Sequence, residues 1–445
     1  MDLIFVHGYS VRNTATYGYL PARLEQELAF RHIPVRIDHI FLGKYVSFHD
    51  QVTLADLSRA FQAAIRDKGL SRFACITHST GGPLVRDWVL RYGGHQLSHL
   101  VMLAPANHGS PLAQLGKGRL SRIKAFFESV EPGQRILDWL EQGSEEQWRL
   151  NLDWLALNGP RRGLFPFVLT GQTIDRKFYD HLNSYTGEPG SDGVVRVPSA
   201  NLNYSYVRLE QNEANHLVPT AWRQSTPTAF AVLPGLSHSG SELGIMGSVP
   251  LAGPHPTVDA ILECLSVQNE ANYQDLCQRF QSLTEQTQSA EALSRWRILG
   301  REFTQPNPPH SLAQFRVVDQ RGQLLDDYDL IFTAGLEASP DLFPQGVFRD
   351  RQRNQRHPGR LTYFLDAAKL RHFPIGLEVQ ARPAEGLVRY APARVLPTQL
   401  GSIVKPNEAI LVEIVLKRLV DRNCFTLTQN LHPEPISGSP GGDFC

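Results

Sequence analysis

The sequence has 445 residues, with 44 Lys plus Arg set against 44 Asp plus Glu, a balance that supplies no electrostatic ground for binding nucleic acid or a strongly anionic surface. Hydrophobic residues at 42% and charged residues at 20% exclude a disordered or fibrous chain, and the length suits two domains. Cys75, Cys264, Cys277, Cys424 and Cys445 are odd in number, scattered and without CxxC spacing, which argues against a disulfide framework and against a zinc site.

The chain opens on the strand-like Leu3-Ile4-Phe5-Val6 rather than on a basic and then apolar leader, and it holds no run of about eighteen apolar residues. The expectation is cytoplasmic synthesis without a cleaved signal peptide or transmembrane segment; leaderless secretion would leave the same sequence. Short apolar runs at 3–6, 35–42, 73–77, 100–104, 165–169 and 230–233 have strand length. Between them, 54–65 and 83–92 have helical periodicity, and the alternation predicts a mostly parallel sheet with helices on both faces.

The stretch 112–160 breaks this rhythm, being rich in helix formers with Phe126, Phe127, Trp139, Trp148 and Trp154 spread through it. It reads as a helical insertion, either part of the core or a lid over an acyl-binding cleft. A helix is predicted over 256–265 and a connecting helix within 269–297. Gln305-Pro306-Asn307-Pro308-Pro309 marks a boundary. Beyond it, runs at 313–318, 329–333, 361–365, 375–379 and 410–415 predict a mostly antiparallel β-sandwich. The tail 433–445, loaded with Pro, Gly and Ser, is expected to be poorly ordered. The predicted organisation is a catalytic domain over 1–267, a helical connector and linker over 268–309, and a sandwich over 310–432.

Four pieces of sequence carry chemistry. In Phe73-Ala-Cys-Ile-Thr-His-Ser79-Thr-Gly-Gly82 an apolar strand runs into a turn of small residues and then a helix. A nucleophilic serine needs such a sharp turn, which lifts its Oγ clear of the backbone and faces it to the helix dipole. Gly81 stands two positions after Ser79, while Thr77 replaces the first Gly of G-x-S-x-G. Val6-His7-Gly8-Tyr9 ends the first strand, so the Tyr9 and Thr80 amides are the candidate oxyanion donors.

Gly190-Ser-Asp192-Gly-Val-Val195 offers a carboxylate to orient a base, with Asp175 and Asp180 as rivals nearer the end of the preceding strand. The last strand leads into Leu233-Pro-Gly-Leu-Ser-His238, and a loop after the last strand reaches the carboxyl edge of the sheet, where a base must meet Ser79. His216 is the alternative base; His78 and His108 are expected to pack or face solvent.

The order Ser79, Asp192, His238, with His7-Gly8 upstream, resembles the α/β-hydrolase fold, and within it the bacterial lipases and the lecithin:cholesterol acyltransferase and GPI inositol-deacylase type esterases. His78-Ser79-Thr80-Gly81-Gly82, Ala104-Pro-Ala-Asn-His-Gly-Ser110 and Asp192-Gly-Val-Val carry the likeness, which spans roughly 1–265. The resemblance implies a serine esterase, lipase or phospholipase with a lipid or acyl-ester substrate, peripheral membrane contact, and neither metal nor cofactor. Delivery as an antibacterial phospholipase toxin is compatible with the same features. A soluble esterase or thioesterase, and a non-catalytic adaptor on a hydrolase scaffold, are the alternatives. For the C-terminal half, a lipid-surface module, an interdomain stabiliser and a docking module for a protein partner remain open.

Overall fold

The computed structural model describes residues 1–7, 14–45, 49–115, 133–175, 188–298, 301–370, 374–398 and 403–425. Strands β1 (Asp2–His7), β2 (Arg36–Phe41), β3 (Phe73–His78), β4 (Leu97–Leu103) and β5 (Phe165–Thr170) come first. After β6 (Tyr204–Gln211) and β7 (Leu217–Gln224), β8 (Ala229–Val232) completes a parallel sheet in the order β2-β1-β3-β4-β5-β8.

Alternate side chains of these strands serve opposite faces. Leu3 and Phe5 enter a core with helices α1 (Leu20–Phe30), α7 (Pro256–Leu265) and α8 (Glu270–Ala290). Ile4 and Val6 enter another with α2 (Leu54–Asp67) and α3 (Gly81–Tyr92). This two-faced burial is why the strands read as unbroken apolar runs. Helix α2 starts where it does because Thr53 and Asp56 form a reciprocal capping box. Helix α8 does more than connect: the Ala229 amide donates to the Tyr273 hydroxyl at 3.2 Å and the Val232 amide to Thr284 Oγ1 at 3.0 Å. The Tyr273 hydroxyl also donates to the Pro166 carbonyl of β5 and so bridges the two strands, while Thr284 satisfies an outward donor of the edge strand β8.

The described part of the insertion forms α4 (Gln134–Leu140) and α5 (Glu145–Trp154), and it is core. Trp139, Trp148 and Trp154 are buried in the cluster that holds Trp88 of α3. The remainder, 116–132 with Phe126 and Phe127, lies outside the described residues, as does the tail 433–445. Among the described residues no helix is long and apolar enough to cross a membrane.

The C-terminal half is built from two facing sheets, but its boundary is not where composition puts it. Strands β9 (Leu293–Ile298) and β10 (Arg301–Pro306) form a hairpin where only a connector is expected. After these come β11 (His310–Asp319), β12 (Tyr328–Ala334), β13 (Phe348–Arg353), β14 (Arg360–Asp366), β15 (Ile375–Ala381), β16 (Val388–Tyr390), β17 (Ala393–Thr398), β18 (Ala409–Leu416) and β19 (Arg418–Val420). One sheet is β12-β15-β17; the other is β13-β14-β11-β18-β6-β7. The hairpin 204–224, expected within the 1–267 domain, is therefore hydrogen-bonded into the second half, and β18 runs parallel to both β11 and β6. Most pairings are antiparallel as expected, three of the five in this sheet and both in the facing one; the two parallel pairings are those of β18.

The physical reason is two-sided burial. Tyr204 and Tyr206 face the hydrolase-like core while Val207 and Leu209 face the inside of the sandwich. The same split divides Ala409 and Leu411 from Ile410, Val412 and Ile414, and Leu312 from Ala313, Phe315 and Val317. The six-stranded sheet is thus a wall shared by both halves. Leu411→Ala is expected to destabilise the protein by about 2–5 kcal/mol and, because both cores pack on this one sheet, to lower one common calorimetric transition. Two separate transitions, with only one moved, would contradict the shared wall.

His7, His108 and His310 are buried in these cores and held neutral. Burial is the main cause that pushes each down to about 3, helped by His39 at His7, Arg86 at His108, and Arg349 and Arg196 at His310. Folded values below the ordinary 6.5 mean that the unfolded chain takes up protons that the folded chain refuses. Their contribution is therefore complete above pH 6.5 and is lost as pH falls toward about 3. Each group contributes up to about 1.4 kcal/mol per pH unit. Urea unfolding across this range is expected to show stability declining on acidification, with a shallower decline in His108→Asn; a parent stability that holds level or rises would contradict it.

Candidate active site

Ser79 lies between the end of β3 and the start of α3 with φ of +52°. A serine in this left-handed region carries strain of order 1–3 kcal/mol, which surrounding contacts must offset. The Ser79 amide donates to the Leu103 carbonyl at 3.0 Å, and its own carbonyl accepts from Gly82 and Ala106 amides at 3.4 and 3.3 Å. A Cβ at Gly82 would lie 2.8 Å from Pro105 Cβ, so only glycine lets the helix start this close to the segment after β4. A Cβ at Gly81 would stand 3.2 Å from Thr77 Cβ. The bare Gly81 is what makes room for Thr77 where the elbow pattern has its first glycine.

The loop after β8 brings His238 Nε2 to 3.2 Å from Ser79 Oγ, and His238 Nδ1 lies 2.9 Å from Asp192 Oδ2. All three side chains are buried, Ser79 at 6% exposure and the other two at 0%. The second Asp192 oxygen accepts from the Val194 and Val195 amides at 3.0 and 2.7 Å. The His238 amide donates to the Asp192 carbonyl at 3.0 Å, so backbone as well as side chain joins the two loops. With the Asp192 carboxylate accepting from Nδ1–H, the imidazole presents an unprotonated Nε2 to the Ser79 hydroxyl. Such a chain of hydrogen bonds can draw a proton from a serine as it attacks a carbonyl carbon.

The other candidates fall in different places. The Thr80 amide heads the first turn of α3 and has no acceptor among the described residues, the condition a helix N-terminus offers an anion. Tyr9 and Asp180 lie outside the described residues. Asp175 is buried beside the backbone of the His238 loop, where a Cβ at Gly240 would come within 2.9 Å of its Oδ2; the carboxylate on His238 is that of Asp192. His216 sits after the turn between β6 and β7, bridged to Arg394 of β17, in the second half of the molecule.

Three features were not assigned a place in the site by sequence. His78, expected only to pack or face solvent, directs Nε2 at the His238 carbonyl oxygen, 3.1 Å away, with the two rings 4.6 Å apart. Burial first, then the neighbouring His238, pushes His78 well below the ordinary value. A neutral His78 donates a hydrogen bond without placing a second cation beside the base. His7 is likewise buried, 2.9 Å from His39 and stacked on Phe41, while the Tyr17 hydroxyl donates to the Val6 carbonyl at 2.9 Å. These contacts fix the strand end that feeds residues 8 and 9.

The segment after β4 ties the loops together. The Ala106 amide reaches Ser79, and the Ser110 hydroxyl donates to the Val194 carbonyl at 2.7 Å. Fully buried Arg86 bonds Asn107 and Asn151, and the His108 ring lies 3.1 Å from both the Asn151 side-chain amide and the Asn201 carbonyl. These bonds tie the segment after β4 to both Ser79 and the loop of Asp192.

Neither a family model nor a curated protein sequence matches this chain. Among solved structures, the chain is similar to phospholipase PlaB from Legionella pneumophila. The identity is 44% and the TM-score 0.91, covering 99% of this chain and 98% of that one. A structure of the same phospholipase in complex with thio-NAD matches with 43% identity and a TM-score of 0.88, over 100% of this chain and 99% of that one. The likeness extends through the mixed sandwich as well as the parallel sheet that carries Ser79, and this chain belongs to the PlaB phospholipase family within the α/β-hydrolase superfamily.

Proposed function

We propose that this protein is a serine carboxylester hydrolase that releases acyl chains from phospholipids. Ser79 is the nucleophile, His238 the general base and then acid, and Asp192 the carboxylate that orients the imidazole. The observation that carries this reading is the continuous hydrogen-bonded chain from Ser79 Oγ through His238 to Asp192, buried at a strained strand-to-helix turn. Phospholipid as the substrate class is supported by the phospholipase that the chain matches over nearly its whole length.

In the first half-reaction Ser79 Oγ attacks the ester carbonyl carbon as its proton passes to His238 Nε2. The carbonyl oxygen becomes an oxyanion, held by the Thr80 and Tyr9 amides. Collapse expels the alcohol portion of the lipid, which takes the proton from His238, and leaves an acyl ester on Ser79. Water then attacks this ester with His238 as base, freeing the fatty acid and restoring the Ser79 hydroxyl. Asp192 stabilises the imidazolium in both halves without itself taking the proton.

Ser79→Ala is expected to abolish release of free fatty acid from phosphatidylcholine vesicles, followed by product mass, while leaving the melting temperature close to that of the parent. Asp192→Asn is expected to lower kcat by about ten-thousand-fold, since it favours the wrong imidazole tautomer. Turnover retained by Ser79→Ala, or release of a phosphorylated headgroup in place of a fatty acid, would overturn the proposal.

A further inference from the structure

We propose that Arg196 and Asn307 are positioning residues for this reaction, which lock the loop of Asp192 onto the C-terminal half so that the sandwich sets where the triad carboxylate stands. The inference rests on the assignment of Asp192 as the triad acid.

Residues 190–197 form a tight hairpin with Asp192 near its tip. The Asp192 amide donates to the Val195 carbonyl at 3.2 Å, the Val197 amide to the Gly190 carbonyl at 2.9 Å, and Ser191 and Arg196 are bridged. Both ends of this hairpin are gripped by groups far away in sequence. At one end the Arg196 guanidinium has 0% side-chain exposure. It bonds Glu188 at 2.6 and 3.1 Å, Gln142 Oε1 at 2.9 Å and Asp350 of β13, and its plane lies 4.5 Å from the Phe364 ring centroid of β14. An arginine wholly removed from water is tolerated only where its donors are paired. Asp350 and Phe364 reach it only when the sandwich is in place.

At the other end the Gly190 amide donates to Asn307 Oδ1 at 2.7 Å. Asn307 is 3% exposed and is itself anchored, its amide to the Ala292 carbonyl at 2.9 Å and its side-chain nitrogen to the Glu291 carbonyl at 3.3 Å. Gly190 has φ of +75°, and a Cβ there would fall 2.5 Å from His310 Nδ1. The imidazole of His310 is stacked on Phe364 with ring centroids 4.5 Å apart. No other residue fits between the acid loop and this stack.

The loop's tip is what these grips serve. Asp192 holds His238 through a 2.9 Å side-chain bond and a 3.0 Å backbone bond, and displacement by about 1 Å at a reacting group can cost on the order of a hundredfold in rate. Among the groups facing His238 are Asp192, the Ser79 hydroxyl and the neutral His78 ring. A loosened Asp192 therefore leaves the imidazolium with less stabilisation as Ser79 attacks.

The test uses the full-length protein, with the amount of competent enzyme counted by fluorophosphonate labelling of Ser79. Truncating the fully buried Arg196 can unfold the chain, so Asp350→Asn and Asn307→Ala decide. Both are expected to lower kcat per labelled site on a p-nitrophenyl ester by about 10- to 100-fold, with KM nearly unchanged. A merely structural role would lower the melting temperature and leave these per-site values alone. Unchanged kcat per labelled site in both variants, with a normally labelled parent, would overturn this inference alone. A parent that turns over ester but carries no adduct on Ser79 would overturn the triad assignment and this inference with it.

Discussion

A β-sheet that separates two cores must bury apolar side chains at both parities of its strands. The strands Tyr204–Gln211, His310–Asp319 and Ala409–Leu416 do so, sending Tyr204, Leu312 and Leu411 one way and Val207, Phe315 and Val412 the other. The rest of the molecule depends on this wall. It draws a hairpin out of the first half of the chain into the second, fixes the sandwich against α5, and brings Arg360 of β14 to Glu145 with its guanidinium over Trp148. The docked sandwich in turn presents Asp350, Phe364 and His310 to the back of the acid loop.

The site is a balance between strain and neutral polar support. Ser79 keeps a left-handed backbone because glycines at 81 and 82 admit Thr77 and Pro105, while backbone bonds from both flanking segments hold the turn. Around it, burial keeps His7, His78 and His108 uncharged. In a region of low polarisability an additional cation would disfavour the imidazolium on which the proposed general-base role of His238 depends. The network through Arg86, Asn107, His108 and Asn151 ties the segment after β4 to α5.

The central sheet was legible because its inner strands are short, apolar and followed by a turn signal, and the ends of buried strands are where Ser79 and His238 stand. Asp192 stands out from Asp175 and Asp180 through the likeness of Asp192-Gly-Val-Val to the acid loop of the lipases, and the geometry unites it with His238. What escaped depends on partners distant in sequence. Strand 204–211 reads Tyr-Ser-Tyr-Val-Arg-Leu-Glu-Gln, whose polar members hide the alternation, and its parallel pairing with 409–416 leaves no local mark. The tryptophans of the insertion could line a lid or a core, since both need the same apolar face. Arg196 looks like any surface arginine until Glu188, Gln142 and Asp350 are seen around it.

The central claim is that acyl groups pass through Ser79. Rapid acid quenching during turnover of a slowly deacylating ester, followed by intact-mass and peptide mass spectrometry, tests it most directly. The account predicts an adduct of the acyl mass on the peptide containing Ser79, absent in His238→Ala. An enzyme that turns over with no acyl adduct, or with the adduct on another residue, would contradict it.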